Sequence, residues 1–173
     1  VARQYGATRV QFGKPIDQLP AVRDLLVDMK LDLEAARALT YQTSRWVDLL
    51  YGATRIMEEN RPENKELLKK AREDERKYKR IAGMATPFSK YYASEMCIRV
   101  ANDALQVLGG SGYMRDYPVE RLTRDARITT IYEGTSQLQV VAAVRGVLQG
   151  SLDRAIEDVL LVVDATKVCP SLK

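Results

Sequence analysis

The sequence predicts an all-α fold: an antiparallel up-and-down four-helix bundle with a charged helical excursion and a C-terminal extension. Three observations predict it. Apolar residues recur every three or four positions over stretches of thirty residues. Gly and Pro fall between those stretches and seldom within them. No strand-like alternation and no internal repeat interrupts the pattern. A chain of 173 residues with 46% hydrophobic content has enough material for one well-buried domain.

The elements follow in order. Val22, Leu25, Leu26, Met29, Leu33, Ala36, Leu39, Val47 and Leu50 mark one face of a helix from about Gln18 to about Tyr51. That helix is roughly 50 Å long, a length typical of bundles. Asp17 suits an N-cap, and Pro20 falls in the first turn, where its missing N–H costs nothing. Asn60-Arg61-Pro62 reads as a break. Of residues 58–80, 16 are charged, nine basic and seven acidic. Charge runs of this kind are usually solvated helix faces, and Glu66–Lys70, Glu73–Lys77 and Glu75–Lys79 have the favourable i,i+4 order. A docking arm is the sharper reading of the same run.

A second long helix, from about Lys79 or Pro87 to Leu108, carries Ala93, Cys97, Val100, Ala101, Ala104 and Leu105 on one face. Cys97 reads there as a core residue. Gly109-Gly110 ends the helix. Tyr117-Pro118 opens a short helix, and residues 128–139 form a loop into another helix bearing Leu138, Val141, Ala142 and Leu148. Leu152, Ile156, Val159, Leu160 and Val163 make a last amphipathic segment, and residues 168–171 should fray. The expected division is a bundle domain over 1–150, with an insertion at 58–80, and an extension over 151–173.

Composition excludes several chemistries. With no His there is no Ser-His-Asp or Cys-His catalytic group and no imidazole acid or base. Cys97 and Cys169 cannot make a Cys-only metal site, and no metal is expected. A catalytic base in this chain must be a carboxylate, Lys or Tyr, and harder chemistry needs a cofactor. The net charge of +4 is spread among alternating signs with few aromatics, so no nucleic-acid partner is expected. No apolar run is long enough to span a membrane. The start, Val-Ala-Arg-Gln-Tyr, has no apolar signal region and resembles that of a fragment or processed chain. Free, scattered Cys fit a cytoplasmic setting.

Three stretches stand out against the helices. In Arg9-Val10-Gln11-Phe12-Gly13-Lys14-Pro15, a Gly turn lies between two cations. It reads as a helix connection with a Phe plug, or as a phosphate contact through the Arg9 fork. In Gln106-Val107-Leu108-Gly109-Gly110-Ser111-Gly112, Gly either caps a helix or lets a ligand approach the backbone, and no strand precedes it to make a dinucleotide fingerprint. In Ile131-Tyr132-Glu133-Gly134-Thr135-Ser136-Gln137, Glu133 precedes a helix start. Its carboxylate either complements the helix dipole, with Thr135 as cap, or acts as a base of raised pKa in an apolar pocket.

Together these motifs resemble the C-terminal helical domain of the acyl-CoA dehydrogenase family. Arg9–Gly13 resembles its Arg-x-x-Phe-Gly element, Gln106–Gly110 its Gln-x-x-Gly-Gly element, and Ile131–Gln139 the signature around its catalytic base. The likeness covers about residues 1–150. It implies that Glu133 removes the α-proton of an acyl-CoA thioester while the β-hydrogen leaves as hydride to FAD, giving a trans-2-enoyl-CoA, as in fatty-acid β-oxidation. Tyr132 and Gly134 are then expected at the substrate. Thr135 and Gln137 are expected near the FAD diphosphate, and Arg9, Gln11 and Phe12 at the partner subunit's FAD. Gln106 and Gly110 are expected at the adenosine part of that FAD. A homodimer or homotetramer and an electron-transfer flavoprotein are the implied partners.

Departures from the family pattern carry expectations of their own. Leu19-Pro20 stands where members commonly have an aromatic or His followed by Gln, which puts one flavin hydrogen bond in doubt. The family's other domains, and an upstream substrate-contacting Arg, are not in this sequence. The isolated chain is therefore expected to fold without turnover and to bind FAD weakly or undetectably. An acyl-CoA oxidase-like enzyme and a helical assembly module without flavin chemistry are the alternatives.

Overall fold

The computed structural model describes residues 1–59 and 64–162. Its elements are α1 (Ala2–Thr8), β1 (Val10–Gln11), β2 (Lys14–Pro15), a 3-10 turn (Ile16–Gln18), α2 (Pro20–Glu59), α3 (Lys65–Leu108), α4 (Gly110–Tyr113), α5 (Val119–Ile128), α6 (Ser136–Leu148) and α7 (Ser151–Leu160). The described residues are all-α, as the periodicity predicts, apart from one hairpin. That hairpin pairs Val10 with Pro15 and Gln11 with Lys14 antiparallel, and is too short to show alternation.

Several boundaries move for identifiable reasons. Pro20 opens α2, where its fixed φ suits the first helical position, while Asp17 lies in the preceding 3-10 turn. The helix runs past Tyr51 to Glu59, because Ala53 is buried and an Arg55–Glu59 pair of 2.7 Å closes its last turn. Within the charged segment, residues 58–59 close α2, and from Lys65 onward the chain is continuous with α3. Lys, Arg and Glu are good helix formers, and Pro87 lies inside α3 without ending it. Pro118 is the residue before α5, and α6 begins at Ser136, leaving a loop over 129–135. The expected break at 60–62 and the fraying at 168–171 lie outside the described residues.

The chain divides into two compact units: residues Val1–Thr40 with Ser89–Leu138, and residues Tyr41–Phe88 with the described residues from Gln139 onward. In the first unit, Ile16, Met29, Val107, Leu108 and Val119 form the core. There α2 and α3 run antiparallel, with Asp32 gripped by Arg99 at 3.0 Å and Thr40 beside Ser89. An apolar groove of about 670 Å³ in this unit has Cys97, half-buried, in its wall with Leu26, Met29 and Val100.

In the second unit, Trp46, Ile81, Met84, Ala85 and Ala155 form the core. Asp158 of α7 is buried among donors: Lys77 at 2.7 Å, Trp46 Nε1 at 2.8 Å and Arg45 at 3.0 Å. Burial pushes its carboxyl up, but these three hydrogen bonds and the Lys77 charge outweigh it and hold the pKa at about 2. No helix among the described residues is long and apolar enough to cross a membrane.

Candidate functional site

Two of the three singled-out stretches meet in the first unit. The α1 helix ends at Arg9, whose N–H donates to the Tyr5 carbonyl and whose carbonyl accepts from Ile16 N–H, both near 2.9 Å. The hairpin turns at Phe12 and Gly13, both at positive φ (51° and 77°). A bulky aromatic is rare in that conformation. Phe12 is 87% exposed, so it is not the plug that the sequence suggested, and it stands in solvent at the hairpin tip.

Beside the hairpin, α3 ends at Gly109, whose φ of 58° and ψ of −139° make a backbone conformation that Gly adopts far more readily than other residues. Gly112 of α4 lies so close to α3 that a Cβ would stand 2.8 Å from the Leu105 carbonyl. Tyr5 Oη donates to Ser111 Oγ at 3.3 Å and ties α1 to this turn. The result is a groove of about 400 Å³, with Arg9, Gln11, Gln106, Gly110 and Ser111 in its wall. Gly109 ends the helix, and a Cβ at Gly110, which lines the groove, would meet nothing within 4 Å.

The third stretch is separate, and Glu133, Gly134, Thr135 and Gln137 are not in that wall. They lie on the α5–α6 loop and the first turn of α6. The loop is closed at its base, where Ser136 N–H donates to the Thr130 carbonyl at 3.0 Å. Thr130 is itself buried and accepts from Arg127. Lys90 of α3 donates from Nζ to the carbonyls of Thr129 and Gly134, both at 2.9 Å, and its ammonium stands 5.8 Å from the Tyr132 ring centre. Ser136 Oγ donates to Glu95 at 2.5 Å. At the tip, Glu133 and Gly134 both have positive φ, 53° and 91°. A non-Gly residue held there is strained, and such strain gathers at functional sites. Glu133 and Gln137 are exposed, and Thr135 is half-buried. Among the described residues, no apolar pocket encloses the exposed Glu133 side chain.

Sequence reasoning missed Lys90 and Glu95. Each lies about forty residues from the loop it holds, and nothing in local spacing couples them. The one available signal is a lysine and a glutamate on a helix stretch that is otherwise mostly half-buried or buried. Among the described residues no group of His, Cys, Asp and Glu could hold a metal ion.

Residues 1–148 match the family described as acyl-CoA dehydrogenase, C-terminal domain. The chain belongs to the acyl-CoA dehydrogenase family. It is 37% identical over 150 residues to an acyl-CoA dehydrogenase of Bacillus subtilis, covering 87% of this chain and 32% of that protein. It is 38% identical over 138 residues to the caffeyl-CoA reductase–Etf complex subunit CarC of Acetobacterium woodii, covering 80% and 29%. Among solved structures, butyryl-CoA dehydrogenase from Megasphaera elsdenii matches with a TM-score of 0.59 and 33% identity, over 85% of this chain and 31% of that one. The chain thus spans about three tenths of the length of these relatives. The matched region contains all three stretches and ends before α7.

Proposed function

We propose that this chain supplies the proton-abstracting carboxylate, Glu133, and part of the FAD cradle of a flavin-dependent acyl-CoA dehydrogenase. The reaction is the α,β-dehydrogenation of an acyl-CoA thioester to a trans-2-enoyl-CoA. The observation that carries this reading is the clamped loop. Lys90 and Glu95 hold its two sides, so the strained Glu133 tip keeps one position. A carboxylate is the right base for a chain with no His, because a thioester acidifies its α-C–H. Glu133 takes the α-proton, and Tyr132 and Gly134 flank it at the thioester.

The groove residues fit FAD by their chemistry. The Arg9 guanidinium suits a phosphate, while the Gln11 and Gln106 carboxamides and the Ser111 hydroxyl suit adenosine. A Cβ at Gly109 or Gly110 would meet nothing within 4 Å, so the backbone there is open to a ligand. When bound, FAD supplies the hydride acceptor that no side chain provides. Thr135 and Gln137 hold the diphosphate region of one FAD, while the groove residues Arg9, Gln11, Gln106 and Gly110, with the exposed Phe12, reach a partner subunit's FAD.

An exposed apolar face on α6, with Val141, Val144 and Leu148, supports assembly into a homodimer or homotetramer. The likeness to an Etf-complex subunit supports an electron-transfer flavoprotein as electron acceptor. Free Cys97 supports a cytoplasmic setting. We place turnover in the longer protein, with residues 1–150 as its C-terminal bundle, and expect none from the 173-residue chain alone.

The test is Glu133→Gln in the longer protein. FAD content should be unchanged, while exchange of the substrate α-proton with deuterated solvent falls at least about 100-fold. Activity within about tenfold of the unmodified protein refutes the assignment.

A further inference from the structure

We propose that the basic face of α3, formed by Lys65, Lys69, Arg72, Arg76 and Arg80, docks an acidic protein segment, with Arg154 of α7 beside it. At 100° per residue these five α3 positions fall within one arc of about 80° that contains no acidic residue. All five are exposed, and among the described residues none has an acidic partner within ion-pair distance. The carboxylates of the same helix lie outside that arc, with Glu73 at its margin. Glu75 pairs with Lys79, and Lys77, an i,i+4 neighbour of Glu73, is bound instead to Asp158. The i,i+4 neighbours Lys65–Lys69, Arg72–Arg76 and Arg76–Arg80 are like charges, which weaken a helix. The segment thus gathers five cations on one arc despite these repulsions, as a surface used for recognition does.

The shape of the face favours protein over other polyanions. Two grooves of about 440 and 430 Å³ meet at Arg76, which lines both. One includes Leu161, 82% exposed, and the other Leu68. Glu157 and the Lys77-bound Asp158 also line the first groove and Glu73 the second, so the cations outnumber the carboxylates in both. Apolar anchors among cations suit a peptide that places Leu-like side chains between its carboxylates, with Arg forks taking the latter. A nucleic acid would want aromatic stacking platforms, but Tyr78 is turned toward Asp158. A lipid surface would want an apolar face turned outward, whereas Ala71, Ile81 and Ala82 are buried.

The test uses the 173-residue chain and a fluorescein-labelled helical peptide with Glu at i,i+4 spacing and Leu between, read by anisotropy at low and at physiological salt. R72E/R76E/R80E should weaken binding at least about tenfold, and R3E/R23E/R121E, with the same change in net charge, less than about threefold. R72Q/R76Q/R80Q should also lose the peptide, with Tm unchanged or raised because repulsion is relieved. Equal losses in both charge-reversed variants overturn the proposal. So does tighter binding of an oligonucleotide of equal charge or of phosphatidylserine vesicles, or a fall in Tm for the Gln variant.

Discussion

Replacing Asp158 by Asn deletes one buried charge while keeping an acceptor for the Trp46 indole N–H. In the native chain that carboxyl is lowered from an ordinary 3.8 to about 2 by Lys77, Trp46 and Arg45, against the opposing effect of burial. At about 1.36 kcal/mol per pH unit, the difference makes the ionised form worth roughly 2 kcal/mol of stability. Because the folded pKa lies below the unfolded one, that stability is fully present above 3.8 and disappears as the pH falls through about 2. The side chain of Asp158 is 5% exposed, so solvent screening removes little of it, although Arg45 and Lys77 reach water at 42% and 35%. Trp46 is the single tryptophan of the chain, which makes its fluorescence a direct probe of the cluster during urea unfolding. Asp158→Asn should lose roughly 2 kcal/mol at about pH 7, and the gap to the native chain should close by about pH 2. A neutral-pH loss below about 0.5 kcal/mol, or a gap of equal size at both pH values, would refute the reasoning.

Other consequences are as concrete. Lys90→Met removes the two 2.9 Å bonds to the Thr129 and Gly134 carbonyls, so amide hydrogen exchange over 129–135 should speed at least about tenfold while that of α2 stays unchanged. Equal protection in the variant would show that the loop holds itself. Gly146→Ala places a methyl 2.5 Å from Met84 Cβ, and overpacking of this kind should cost about 1–3 kcal/mol in denaturant unfolding. Thr43 Oγ1 is buried without a hydrogen-bond partner among the described residues, so Thr43→Val should raise stability by about 1 kcal/mol, and a decrease would reveal a partner. The 173-residue chain, mixed with FAD and an acyl-CoA, should show no dye reduction; a flavin-yellow preparation that reduces dye contradicts the placement of turnover in the longer protein.

The long helices were legible because their cores repeat every three or four residues, a signal that accumulates with length. Their ends were not, since Pro87 looks like a stop and yet lies inside α3, where burial of Ala82, Met84 and Ala85 around it holds the helix together. The three stretches were legible as motifs, but their geometry was not. Phe12 reads as a core residue by its chemistry, and only the paired positive φ values at the hairpin tip turn it outward. Lys90 was invisible because a cation that binds two carbonyls from a distant helix leaves no periodic trace. The charge run at 58–80 predicts three i,i+4 pairs, and of these only Glu75–Lys79 forms. Lys77 is drawn away by a carboxylate 81 positions later, a competition that no local rule contains.

The family match ends at residue 148, yet α7 lies in the same compact unit as Tyr41–Phe88. A chain cut after Gly150 would therefore keep every matched residue and still expose Trp46 and the fully buried Ile81, with Lys77 and Arg45 left facing no carboxylate. Where relatives stop resembling one another is thus not where this polypeptide may be cut. Anyone grafting this domain onto a relative must transplant Arg45, Trp46, Lys77 and α7 as one set, because each half of that set is a defect without the other.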